Sequence, residues 1–227
     1  MGWDHNRPLP WGWFQMKYII SINDLSQFDG AAAEDPWAIE LRLDLMETCT
    51  PADLQTIRSG WKGLLLLTIR SVDEGGRFAG DTVEWKRRIE PLLPYADMVD
   101  IERQFSHHAD WMRSQQKTII ASYHTEEMPG SDQLSLCERE LRSYGEIPKI
   151  VVSPKKNEDA VTLLGYTIAA EKPICISIMG SGYAWLRPLL LIMGSVCAYC
   201  HSGNATASGQ YHIREMREVI RLLLKSQ

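Results

Sequence analysis

Seven ionisable residues of this chain sit inside or at the ends of short apolar runs. They are Glu40, Arg42 and Asp44 in AIELRLDL (38–45), Arg70 closing GLLLLTIR (63–70), Glu102 in MVDIE (98–102), His124 closing KTIIASYH (117–124) and Lys149 in IPKIVVSP (147–154). Buried charge is costly unless it is paired or used. A lysine among apolar neighbours can act as an amine nucleophile toward a ketone once it is desolvated. A histidine at a strand end can carry protons near neutral pH. Ionisable groups brought by separate strands to one place point to an active site.

The local patterns differ in strength. A period of two puts Glu40, Arg42 and Asp44 on one strand face, where Glu40 and Arg42 must neutralise each other or hold a ligand. TIRSVDEGGRFAGD (68–81) adds Glu74 in a glycine-rich turn after Arg70. Lys149 begins its apolar run instead of ending it, so spacing alone favours a lysine whose head reaches water at the strand's N-terminal end. IMGSGYAWLRP (178–188) places Met179 ahead of Arg187, and the small, polar GNATASGQ (203–210) reads as a flexible loop able to fold over a ligand. Cys197 and Cys200 form a CxxC beside His201, but a zinc site needs further ligands and there is no second CxxC. Both read as small packing residues on opposite faces of a last strand, and no metal is expected.

These residues need strands to carry them. Runs at 17–22, 38–45, 63–70, 98–102, 117–124, 147–154 and 173–180 read as strands, with a short eighth at 195–200. Helical patterns fall between them at 51–60, 81–96, 105–116, 131–144, 156–171, 186–193 and 211–225. Thr50 and Pro51 mark a helix start, Gly60 a stop, and the prolines of 81–96 interrupt or end that helix. Strands alternating with helices imply a parallel sheet, and eight such units predict a single-domain α/β (β/α)8 TIM barrel over residues 16–227. A doubly wound open sheet is the alternative. No GxGxxG or GxxxxGK[ST] follows the first strand, which disfavours the usual nucleotide-binding variants. Residues 1–15, rich in Trp and Pro and without periodicity, read as an N-terminal extension.

Composition narrows the setting. A formal net charge of −5 argues against a general nucleic-acid binder, whose surface is usually basic. No apolar run reaches the roughly 18 residues of a membrane span. The N-terminus has no export-signal pattern, and five cysteines suit a reducing compartment better than a disulfide scaffold. The expected location is cytoplasmic, with neither membrane nor nucleic acid as partner. A homodimer is compatible with the sequence, which does not set the oligomeric state.

From about Lys17 to the C-terminus the chain resembles the type I 3-dehydroquinate dehydratases. The resemblance rests on ELRLD, TIRS-x-x-EGG, the SYH histidine, IPKI, M-x-x-G-x-x-x-x-R and T-A-S-G-Q, six motifs in the expected order. It implies a (β/α)8 barrel that dehydrates 3-dehydroquinate to 3-dehydroshikimate in the shikimate pathway of aromatic amino acid biosynthesis. The implied mechanism is a lysine Schiff base, with no metal or cofactor. Matched by motif, Lys149 resembles the Schiff-base lysine, His124 the general acid/base and Glu74 the carboxylate beside it. Glu40 and Arg70 are implied to grip ring hydroxyls, with Arg42 also binding substrate. Arg187 is implied to pair with the substrate carboxylate, Thr206 and Gln210 to close the lid, and Met179 to line the pocket. The chain departs from the family pattern in Leu186 and Thr206, each in place of Ser, and in Ser208 in place of Pro. Two other readings are a further Schiff-base barrel of the class I aldolase kind and a ligand-binding barrel without turnover. The lack of a basic residue in 203–210 disfavours the phosphate site that sugar-phosphate aldolases need.

Overall fold

Eight parallel strands alternate with helices along residues 16–225, which the computed structural model describes. The strands are β1 Lys17–Ile22, β2 Ala38–Arg42, β3 Leu64–Thr68, β4 Met98–Glu102, β5 Thr118–His124, β6 Ile147–Val152, β7 Cys175–Ile178 and β8 Cys197–Cys200. The helices are α1 Phe28–Ala33, α2 Pro51–Gly60, α3 Thr82–Ile89, α4 Ala109–Ser114, α5 Ser131–Arg142, α6 Asn157–Ala169, α7 Leu186–Ile192 and α8 Ile213–Leu224. The hydrogen-bonded order runs β7-β6-β5-β4-β3-β2-β1-β8, a single-domain, nearly closed TIM barrel. The expected extension at 1–15 lies outside the described residues.

β7 and β8 meet without a ladder. Val196 donates its N–H to the Ile174 carbonyl at 2.7 Å, and the Ser195 hydroxyl occupies the seam. That hydroxyl accepts from the Ile176 N–H at 3.0 Å and lies 3.1 Å from the carbonyls of Ile176 and Cys197. One side chain thus does the work of several backbone bonds.

Local chemistry explains most element ends. Thr50 and Asp53 form a capping box with Pro51 in the first turn of α2. Asp81 caps α3, and the prolines that follow convert 90–95 to a 3₁₀ segment, as the sequence implied. The pattern at 105–116 divides into a 3₁₀ turn at Arg103–His108 and the short α4. Helix α1 was not anticipated, because six residues, one of them Gly30, give too few turns for a periodic signal.

Strand alternation sorts side chains into layers inside the barrel. One inward residue from each strand forms an apolar plug: Ile19, Ala38, Leu66, Met98, Ile120, Ile147, Cys175 and Cys197. Two residues further along every strand stands Ser21, Glu40, Thr68, Asp100, Ser122, Lys149, Ser177 or Tyr199, all buried. Outward residues such as Leu41, Leu67, Ile101 and Ile150 pack against the helices in a separate core. Trp85 is fully buried there, its ring stacked on Phe105 with centroids 5.1 Å apart. Cys197 belongs to the plug and Cys200 to the outer core, the opposite faces that period two requires.

Candidate active site

The layer beyond the buried polar ring opens a cavity at the C-terminal ends of the strands, where barrel enzymes place their chemistry. Its volume is about 370 Å³, within the range of small-molecule pockets. All ten residues singled out as catalytic or substrate-binding line it.

Lys149 is 5% exposed and points into the barrel. The strand starts two residues earlier, so Ile147 supplies the plug and Lys149 the layer above it. The water-reaching alternative therefore fails: Lys149 is the third residue of the strand and its side chain is buried inside the barrel. Lys149 Nζ lies 3.0 Å from Oδ2 of Asp100 and 4.0 Å from the ring centre of Tyr199. Burial pushes the Asp100 carboxyl up, but Arg70 and Lys149 beside it outweigh this and hold it down at about 2.

Arg70 is the hub of the acidic groups. Its Nη1 donates to Glu102 at 2.8 Å, to Glu74 at 3.1 Å and to the Ser122 hydroxyl at 3.0 Å. Its Nη2 donates to Asp100 at 2.7 Å. Burial opposes its charge, but Asp100, Glu102 and Glu74 together keep the guanidinium firmly protonated.

Glu74 and His124 form a coupled pair. Glu74 Oε2 accepts the His124 backbone N–H at 3.0 Å and lies 2.8 Å from Nδ1. That oxygen also receives Arg70, so the geometry assigns the proton to Nδ1 and leaves Nε2 with its lone pair. Burial pushes the Glu74 carboxyl up to about 8; Arg70 opposes the shift, while Glu102 and Asp100 add to it. Burial holds His124 well below the ordinary histidine range, helped by the charges of Arg70, Lys149 and Arg42. The imidazole is therefore neutral at neutral pH.

Glu40 and Arg42 do not neutralise each other, which removes the first of the two alternatives their spacing left. Strand β2 ends at Arg42, and the following turn carries Asp44 back to it. Arg42 Nε and Nη2 each reach an Asp44 oxygen at 2.9 Å, a bidentate pair that braces the guanidinium on the cavity wall. Glu40 is held by two hydroxyls, Ser21 at 2.5 Å and Thr68 at 2.7 Å.

Arg187 stands apart among the cations. It is 7% exposed, and among the described residues no carboxylate pairs with it. Its Nη1 lies 3.3 Å from the Ser177 hydroxyl, Nη2 donates to the Ser208 carbonyl at 3.3 Å, and buried Nε has no partner. Burial lowers its pKa. An unpaired guanidinium facing a cavity is a site for an anion. Leu186, the departure next to it, is fully buried in the outer core, and Ser177 supplies a hydroxyl beside Arg187 instead.

The loop 203–210 reaches over this corner. Gln210 Oε1 accepts the Thr206 N–H at 2.9 Å, and Nε2 donates to the Cys200 carbonyl at 3.0 Å. The two residues staple the loop to itself and to β8. Gly209 has φ +70°, and a Cβ there would stand 2.6 Å from the Gly180 carbonyl, so only glycine lets the two loops touch.

Sequence reading missed Ser21, Thr68, Asp100, Ser122, Ser177 and Tyr199. Four of them stand two residues before a buried or cavity-lining group nearer the mouth: Thr68 before Arg70, Asp100 before Glu102, Ser122 before His124 and Ser177 before Met179. Counting back by two from each strand end would have found them. Among the described residues no group of three or more His, Cys, Asp or Glu side chains is set to hold a metal ion.

Comparison with known proteins agrees with this geometry. A 3-dehydroquinate dehydratase of Methanoregula boonei is 42% identical over 209 residues, covering 92% of this chain and 100% of its own. One from Methanospirillum hungatei is 36% identical, covering 92% of this chain and 81% of its own. Among solved structures, the 3-dehydroquinate dehydratase of Aquifex aeolicus superposes with a TM-score of 0.78 at 28% identity, covering 93% of this chain and 100% of that one. The family model for type I 3-dehydroquinase matches residues 22–227, and the chain belongs to that family.

Proposed function

We propose that this chain dehydrates 3-dehydroquinate to 3-dehydroshikimate through an iminium formed on Lys149. The observation that carries the reading is a buried lysine on the cavity wall, with the His124–Glu74 pair and the unpaired Arg187 in the same cavity. Arg187 takes the ring carboxylate, and Ser177 orients its fork. Glu40, pinned by Ser21 and Thr68, accepts from ring hydroxyls. Arg42, braced by Asp44, and Arg70 line the same wall and bind the substrate, and Met179 packs against the ring.

The chemistry follows from the need for an electron sink. The Lys149 amine adds its electron pair to the C3 ketone carbon, and the proton released from the nitrogen goes to the ketone oxygen, giving a carbinolamine. Protonated from solvent, that hydroxyl leaves as water while the nitrogen lone pair forms the C=N⁺–H iminium. His124 Nε2 removes the C2 proton, and the C–H electron pair flows into the C=N bond to form an enamine. The enamine re-forms the iminium by expelling the C1 hydroxyl, to which His124 returns the proton, so water leaves. Hydrolysis frees Lys149 and the conjugated enone, with a net loss of one water. The iminium supplies the sink that a metal or cofactor would otherwise provide.

The setting belongs to the same reading: a cytoplasmic biosynthetic enzyme acting on a small molecule, with a homodimer as its assembly. Among the described residues no helix is long and apolar enough to cross a membrane. Borohydride added with 3-dehydroquinate tests the mechanism. A reduced adduct on the peptide containing Lys149 is expected. An adduct on Lys117 or Lys172, or turnover without any adduct, would overturn the assignment.

A further inference from the structure

The buried layer beneath the cavity contains a charged group that the mechanism above leaves unused. Asp100 is not part of the cavity lining. Its two oxygens are unequally occupied. Oδ1 receives Arg70 Nη2 at 2.7 Å and the Ser122 hydroxyl at 2.5 Å, while Oδ2 receives only Lys149 Nζ at 3.0 Å. Two donors on one oxygen fix the carboxylate plane and aim the other oxygen at the lysine. The Tyr199 ring centre lies 4.0 Å from the same nitrogen.

An ammonium has three N–H bonds and can rotate among acceptors. An iminium is planar and keeps one N–H, so a single fixed acceptor selects its plane. The charge balance points the same way. Asp100 and Glu102 both lie within 2.8 Å of Arg70, which cancels one of them and leaves a negative charge for a cation on Lys149. The aromatic face of Tyr199 favours a cation at that nitrogen as well.

Resting on the Schiff-base reading, we propose that Asp100 is a positioning residue and the counter-ion of the Lys149 iminium, aimed by Arg70 and Ser122, with Tyr199 as its aromatic support. Asp100 forms no bond to substrate and exchanges no proton with it. It keeps the imine protonated and turns the C=N plane so that the C2 proton faces His124. Arg70, Lys149 and Ser122 are the groups that contact it, and Glu102 and Glu74 share Arg70 with it.

Reductive trapping separates this role from a structural one, because borohydride delivers hydride to the protonated imine. Wild type, Asp100→Asn and Ser122→Ala are mixed with saturating 3-dehydroquinate and borohydride, and adduct growth is followed by intact-protein mass. Binding of quinate, which has no ketone, is measured on the same preparations. Asp100→Asn should slow adduct formation by about tenfold or more, the size of one charge-assisted hydrogen bond. Ser122→Ala, which removes one anchor and replaces a buried hydroxyl by a methyl, should slow it by about threefold, reflecting a neutral bond. Quinate affinity should hold in both. Trapping at the wild-type rate in both variants would overturn the proposal, as would quinate affinity falling in step with trapping. Should Asp100→Asn fail to fold, Ser122→Ala decides alone. No adduct in wild type would remove the Schiff-base reading and this proposal with it.

Discussion

Glu74 holds His124 at two points, the backbone N–H at 3.0 Å and ring Nδ1 at 2.8 Å, both on the same carboxyl oxygen. The strand end and the ring are thereby set by one group, which fixes where Nε2 points. Removing the ring should abolish proton transfer and spare binding. His124→Ala is expected to lower kcat by about 10²–10⁴-fold, the usual worth of a positioned acid/base. Absorbance of the conjugated enone gives the rate, and quinate affinity the control. A variant within a few-fold of wild type would require another base.

The raised Glu74 carboxyl makes a second prediction, about stability. Its folded value of about 8 lies above an unfolded value near 4.5, so between these pH values the folded state binds more protons. Its contribution to stability therefore declines as pH rises through that window. Glu74→Gln, a permanent mimic of the neutral acid, removes the decline. The melting temperature of wild type minus that of Glu74→Gln should fall steadily from pH 5 to about pH 8 and level off above it. A difference that does not change with pH would show that Glu74 ionises outside the window.

Arg187 and Gln210 should differ in kind. Arg187→Ala deletes the cation available to a carboxylate and should cost about 1.5–3 kcal/mol of quinate binding, the range for hydrogen bonds to charged groups. Gln210→Ala breaks the bonds to Thr206 and Cys200 and should cost less, with faster proteolysis within 203–210. Calorimetry and limited proteolysis check both. Equal losses for the two variants would mean that the carboxylate does not sit on Arg187.

Gly209→Ala tests how the lid is seated. The methyl meets the Gly180 carbonyl and the Ser181 Cα, in a backbone conformation that favours glycine by roughly 1 kcal/mol. The lid should ride higher, raising KM several-fold while the melting temperature of the barrel changes little. Unchanged KM would show that the contact between the two loops is dispensable.

The barrel was legible in this sequence because eight apolar runs alternate with helical ones, and that rhythm needs no detail. The mouth of the site was legible too, since Arg70, His124 and Met179 stand at or just past strand ends where a charged, aromatic or sulfur-bearing side chain interrupts the pattern. The layer beneath was not. In MVDIE and IPKIVV both faces are buried, so alternation carries no polar–apolar contrast, and neither Asp100 nor the inward direction of Lys149 could be separated from a solvated end. Arg42 and Asp44 misled for a different reason: the same period of two continues on paper after the chain has left the strand.

The ring is slit at one place, and the slit runs beneath the anion corner. β7 leads to Met179, Gly180 and Arg187, and β8 leads to Thr206, Gly209 and Gln210, with the Ser195 hydroxyl, the Val196–Ile174 bond and a long Cys175 Sγ–Cys197 carbonyl contact between the two strands in place of a ladder. Seven neighbouring pairs are joined by ladders and must move as one plate; β7 and β8 can slide past each other by breaking few bonds. Breathing of the barrel is thus channelled into the two loops that hold the carboxylate. Amide protons of Ile174–Ile178 and Val196–Cys200 that face the seam should exchange with deuterium ahead of those in β3–β5, and a bound carboxylate, by tying Arg187 to the lid, should slow that exchange from the outside of the ring.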